Sequence, residues 1–148
     1  MAIENWAYDD FVRVNGGKFS PLDFIHAVST KISFPPDFLL CVGHLLAPRM
    51  IMFDGVIVAA EWFDEKRYGE YRGNGMTPQQ AQAWVNAVEL TEIFQGISLE
   101  KAKEFAYFIA RLWDEAIKQN FPDEVTRASV VLEADLGEVF VTIGEFSD

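Results

Sequence analysis

A single cysteine, Cys41, rules out an intrachain disulfide, so the fold must be held by packing and hydrogen bonds. Histidine is nearly as scarce. His26, Cys41 and His44 are the nitrogen and sulfur ligands on offer, and no further His or Cys completes a tetrahedral metal set. Cys41 with His44 or His26 is a minimal thiol–imidazole pair. However, the thiol lies between Leu40 and Val42 in an apolar run, where it is expected to be hidden and unreactive. There is no Gly-x-Ser-x-Gly, no Gly-Lys-Ser/Thr and no Gly-x-Gly-x-x-Gly, and Gly-Glu-Tyr-Arg-Gly-Asn-Gly before Thr77 resembles an anion nest only superficially. No cofactor is expected. Nor is there an apolar run long enough to cross a bilayer. The longest, Phe38–Phe63, is broken by His44, Pro48, Arg49, Asp54 and Glu61, so no membrane partner is expected. The opening MAIENWAYDDF has neither a basic nor an apolar signal region, and a cytoplasmic location fits.

Basic residues are the remaining scarcity, with 12 Lys and Arg against 23 Asp and Glu. The imbalance is uneven. Residues 1–75 carry ten acids and seven bases, residues 76–148 thirteen and five, and residues 121–148 seven acids against Arg127 alone. Such a field repels phosphate backbones, so direct nucleic-acid binding is not expected, and it attracts basic partners. The plainer account is that the charge provides solubility.

What is plentiful is apolar and aromatic side chains, 50% and 14% of the chain. A chain of this length is expected to form one α+β domain over residues 1–148, burying roughly two thirds of its unfolded surface. Trp6, Tyr8, Phe11 and Val12 suit a short helix stopped by Asn15-Gly16-Gly17. Ser20-Pro21-Leu22-Asp23 starts another, with Leu22, Ile25, Val28, Ser29 and Ile32 on one face until Pro35-Pro36. Asp37–Ala47 reads as a helix capped by Asp37 or as a buried strand. Asp54-Gly55, between Ile51–Phe53 and Val56–Val58, is a type I′ hairpin signal. It gives two apolar faces, Ile51, Phe53, Val56 and Val58 on one and Met50, Met52, Ile57 and Ala59 on the other, as in a sheet covered on both sides.

Asp64–Gly75 reads as a solvated, flexible segment, followed by a capping box at Thr77–Gln80. Ala81, Trp84, Val85 and Val88 then form one helical face. Leu90, Ile93, Phe94 and Ile97 form a second, rotated face, so the helix is either buried on two sides or broken near Glu89. Ser98–Asn120 is a long amphipathic helix with Arg111–Glu115 and Asp114–Lys118 pairs on its polar side. Thr126–Glu133 and Glu138–Gly144 alternate cleanly around a four-residue loop, with Ala128, Val130 and Leu132 facing the core beside Val139, Val141 and Ile143. The sum is an antiparallel sheet of about four strands, in two hairpins, packed by several helices.

Three functions remain. The first is a non-enzymatic interaction or antagonist module that docks a basic protein through acids such as Glu61, Asp64, Glu133 and Glu138, with Tyr68 and Tyr71 as exposed aromatic anchors and Arg72 between them. The second is a small-molecule or enzyme pocket at Glu61–Arg72, where the central hairpin leaves the core. The third is a homodimer formed through Leu90, Ile93, Phe94 and Ile97, if those side chains are uncovered.

Overall fold

The structure is a computed structural model describing residues 2–146. It is mixed α+β, with seven α-helices and two antiparallel sheets. The chain divides into two compact units, Met1–Cys41 and Val42–Asp148.

The first unit is helical. A 3-10 turn at Ile3–Asn5 leads into α1 (Tyr8–Val14) and α2 (Pro21–Ser29). Ser20 caps α2 and Pro21 takes the first helical position as expected, and Asp23 completes a capping box with Ser20. The unit is held by rings rather than by an aliphatic core. Phe11 stacks on Phe19 at 5.3 Å, and Phe24 meets both Tyr8 and Phe11 edge-on. This overturns the expected face of α2. Phe24, Ala27 and Val28 turn inward, and Leu22 is 73% exposed, because the aromatic stripe rather than the aliphatic one finds a ring to pack on.

The ambiguous run after Pro35-Pro36 is a helix, α3 (Pro36–Leu46), with Asp37 in its first turn rather than at its cap. Cys41, expected to be hidden, is exposed. The last turn of α3 belongs to the second unit, where Leu45 and Leu46 pack against the core and the Trp113 indole N–H donates to the Leu45 carbonyl at 2.9 Å.

The second unit is built around the Asp54-Gly55 hairpin. Strands β1 (Met50–Phe53) and β2 (Val56–Ala59) pair with Phe53 opposite Val56, and both turn residues have positive φ, 51° and 78°. That is the expected type I′ geometry and register. Both faces are covered. Met50 and Ile57 enter one apolar cluster with Ile109, Trp113 and Val141, while Val56 and Val58 enter another with Tyr68, Ala81 and Val85.

The segment Asp64–Gly75 corrects the expectation of a flexible loop. It is helix α4 (Glu65–Gly73), and the Asp64 carboxylate caps it by accepting the Arg67 N–H at 3.1 Å. Its mean composition is polar, but Tyr68 and Tyr71, three apart, give it one packing side. Helix α5 (Pro78–Asn86) follows from the Thr77–Gln80 capping box. Here Trp84 is 47% exposed rather than in the core, and the buried side carries Gln82 and Asn86 beside Ala81 and Val85. The helix breaks near Glu89, one of the two options. Val88–Glu89 forms a short strand, β3, before α6 (Leu90–Ile93).

Helix α7 (Leu99–Asn120), capped by Ser98, buries Ala102, Ala106, Ile109, Trp113 and Ile117 as its spacing requires. Its expected ion pairs are replaced. Lys118 lies 3.7 Å from Glu115, and Asp114 instead accepts the Ala128 N–H at 2.7 Å. Strands β4 (Ala128–Glu133) and β5 (Glu138–Ile143) pair as expected around a 3-10 turn at Ala134–Leu136, closed by Gly137 in the left-handed region. The two hairpins lie in separate sheets, β1-β2 and β3-β5-β4, because β3 takes the free side of β5. Among the described residues no helix is long and apolar enough to cross a membrane.

A two-stranded sheet with one strand wholly buried raises a question of hydrogen bonding. The two-residue turn makes Phe53–Val56 and Ile51–Val58 the hydrogen-bonded pairs, so the N–H and C=O of Ile57 and Ala59 point away from β1. They meet a side chain. Asn86 Oδ1 accepts the Ala59 N–H at 2.9 Å, and Asn86 Nδ2 donates to the Ile57 carbonyl at 2.9 Å. One carboxamide thus brackets Val58 as a residue of a parallel neighbouring strand would. Gln82 Nε2 adds a bond to the same Ile57 carbonyl at 3.3 Å. Gln82 in turn needs Gly144, which has φ 91° and whose added Cβ would lie 2.9 Å from Gln82 Oε1. Substituting Asn86→Leu keeps the volume, strands the Ala59 N–H and leaves the Ile57 carbonyl to Gln82 alone. The expected cost is about 3 kcal/mol, a fall of about 10 °C in Tm, read by thermal unfolding. A change within about 0.5 kcal/mol, the size of an ordinary surface substitution, would show that the edge has another partner.

Candidate functional site

The hairpin end is the first place to look, because there the strand leaves the core. Glu61 reaches back across the sheet. Its carboxylate accepts the Arg49 N–H at 2.9 and 3.0 Å and contacts His44 Nδ1 at 3.1 Å. Desolvation pushes this carboxyl up, but the backbone N–H bonds and His44 outweigh it and hold it below its ordinary value. A depressed carboxylate contributes stability above its unfolded pKa and loses it as pH falls through the folded one. Glu61 is therefore engaged in closing the open end of the hairpin. His44 is exposed, and its other ring nitrogen is left to solvent.

Tyr68, expected as an exposed anchor, is buried at 3% exposure. Its hydroxyl donates to Asp54 Oδ2 at 2.8 Å, and Arg72 Nε donates to the same oxygen at 3.2 Å while Arg72 Nη1 holds the Met76 carbonyl. Burial first, and then the Asp54 carboxylate, push the phenol up to about 12. Asp54, at the turn, is thus clamped by α4. Tyr71 is half-buried, its ring 6.3 Å from Trp84, which in turn meets Phe146 at 4.8 Å. Glu61, Asp64, Tyr68 and Arg72 thus each serve a local structural bond, and the structure does not converge them on one point.

The remaining pair, Glu133 and Glu138, is brought together. The two residues are directly opposite across β4 and β5. Like charges in that position repel. Glu89 and Glu92, on β3 and α6, join them, and neither is legible in the sequence pattern because a two-residue strand and a four-residue helix have no period to read. Loss of solvent, a hydrogen bond with Glu89, and the charges of Glu89, Glu133 and Glu92 all raise the Glu138 carboxyl above its ordinary value. Thr91 Oγ1 donates to Glu89 at 3.0 Å and steadies one member. Among the described residues no three His, Cys, Asp or Glu side chains converge on one metal-sized position.

No family model, curated protein or solved structure matches the chain.

A raised carboxyl is favourable to folding below its unfolded pKa, and that contribution is lost as pH rises through the folded value. Glu138→Gln removes the repulsion. The variant is expected to unfold at a higher temperature than the parent at pH 7, with the difference closing as pH falls below 4.5, the ordinary value for glutamate. Equal midpoints at neutral pH would mean that the four carboxylates do not interact.

Proposed function

We propose that this chain is a non-enzymatic interaction module, and that its acidic end docks a basic protein. The observation that supports it most is the cross-strand Glu133–Glu138 pair with Glu89 and Glu92 beside it. The fold sets these carboxylates at an energetic disadvantage and supplies no lysine or arginine among the charges that shift Glu138. An arriving guanidinium or ammonium would turn that repulsion into charge-assisted hydrogen bonds. The overall charge of −11 would raise the encounter rate with a basic partner and make it dependent on salt. The alternative pocket at Glu61–Arg72 draws no comparable support, since Glu61, Tyr68 and Arg72 already serve internal bonds. An acidic antagonist of a cationic enzyme or toxin would have this chemistry.

The test compares the parent with a Glu89→Gln, Glu92→Gln, Glu138→Gln variant as immobilised bait in host lysate at low salt. The parent should retain a basic protein that elutes as salt rises, and the variant should lose at least tenfold of it. Equal retention by both baits, or no basic protein on the parent, would overturn the proposal.

A further inference from the structure

Strand β4 lies at the edge of its sheet, in the order β3-β5-β4. The Gly144 N–H donates to the Arg127 carbonyl at 2.9 Å, which makes Arg127–Gly144 a hydrogen-bonded pair. By alternation, Ser129, Val131 and Glu133 bond inward to β5, and the N–H and C=O of Ala128, Val130 and Leu132 point outward. Asp114 satisfies the Ala128 N–H, confirming that direction. Among the described residues no backbone or side-chain group bonds the outward N–H and C=O of Val130 and Leu132. Leu132 is itself exposed. The edge is also open along its length. A cleft of about 420 Å³ lies between Ala128–Val130 and Tyr107, Arg111 and Asp114 of α7, and another of about 260 Å³ lies beside Leu132, Leu99 and Lys103. Proteins ordinarily protect such an edge or use it.

We infer that β4 pairs antiparallel with β4 of a second copy of this chain, with Val130 opposite the partner's Val130, and joins the two sheets into one. Charge selects both the occupant and the register. Only residues with outward backbone groups can face one another in hydrogen-bonded pairs, so a two-fold pairing can shift only in steps that keep Ala128, Val130 and Leu132 in the ladder. Centred on Val130, it places Ala128 opposite the partner's Leu132 and Arg127 opposite the partner's Glu133, at both ends by symmetry. Arg127 and Glu133 are both exposed, and Arg127 is the one base in residues 121–148. Moving the register one step either way breaks both pairs, setting Glu133 opposite the partner's Ser129 or Val125. Arg127 would also stand in a row with Glu133 and Glu138 across three strands, bringing a second cation to the carboxylates beside Lys103, which lines the cleft at Glu138. The Asp114 carboxylate lies where the partner's Leu132 carbonyl would sit, so pairing displaces it from the Ala128 N–H. The interface is one of backbone pairing and does not rest on the docking of a basic protein.

The test uses Arg127→Glu and Glu133→Arg, alone and mixed, in sedimentation velocity from micromolar to sub-millimolar protein at physiological salt. The parent should dimerise with rising concentration. Each variant alone opposes like charges at both ends and should raise the dimer Kd at least tenfold. An equimolar mixture restores an Arg–Glu pair at both ends and should recover the dimer. Net charge does not mimic this pattern, because Glu133→Arg makes the chain less negative and would on that ground associate better. A parent that stays monomeric throughout, variants that dimerise like the parent, or a mixture that stays monomeric would each overturn the proposal.

Discussion

The Asn86 carboxamide is the contact on which the second unit depends. Burying a strand is favourable only if its backbone polar groups find partners, since each one left bare costs about 1–3 kcal/mol. Strand β2 is buried at Val56, Ile57, Val58 and Ala59, yet it has one neighbouring strand, β1. Asn86 supplies the other side with a donor and an acceptor in one planar group. The carboxamide also donates to the Gln82 carbonyl, and the Asn86 backbone carbonyl receives the Trp62 indole N–H at 3.4 Å. The end of α5, strand β2 and Trp62, three residues beyond it, are thereby tied at one point. The tie extends to the second sheet through the Thr142 hydroxyl, which donates to the Ala83 carbonyl at 2.5 Å. With the edge closed in this way, β2 can be apolar on both faces and serve as the wall between two hydrophobic clusters.

That arrangement also decides where function can reside. Polar groups near the hairpin serve the hairpin: Glu61 its open end, and Asp54 with Tyr68 and Arg72 its turn. The three-stranded sheet is different. Its far end gathers carboxylates that repel one another, and its β4 edge offers backbone groups with no partner among the described residues. On the two proposals above, both features would be met by the same kind of event, the arrival of another chain bearing a cation. An acidic interaction module and a self-pairing edge are compatible proposals for one surface.

Much of the fold was legible where local chemistry and tertiary packing agree. Asp54-Gly55 specifies its turn by the positive φ it tolerates, and the alternation of Ala128–Leu132 with Val139–Ile143 sets a register from which a slip would expose the core face. The 22-residue α7 was equally plain from its period. Other features came from contacts that no window of sequence contains. Helix α4 looks like a charged loop until Tyr68 is seen bonded to Asp54, fourteen residues away. The inward side of α2 depends on rings contributed by α1 and Phe19. The division into two sheets follows from β3, which has two residues and acquires its identity from β5. At the candidate site, the opposition of Glu133 and Glu138 was implicit in the hairpin register, while the approach of Glu89 and Glu92 was not, and Tyr68 passed for an exposed aromatic because its neighbours in sequence are charged. The face Leu90, Ile93, Phe94 and Ile97, expected as a dimer surface if uncovered, is largely consumed by the core, with Ile93 alone strongly exposed.

Amide hydrogen exchange at Ala59 tests the central contact most directly. In a bare two-stranded sheet this outward N–H would exchange rapidly through local fluctuation. If Asn86 stands in for a strand, the Ala59 amide should exchange only with global unfolding, at the rate of Val58, which is paired to β1. An Ala59 amide that exchanges orders of magnitude faster than Val58 would contradict the account.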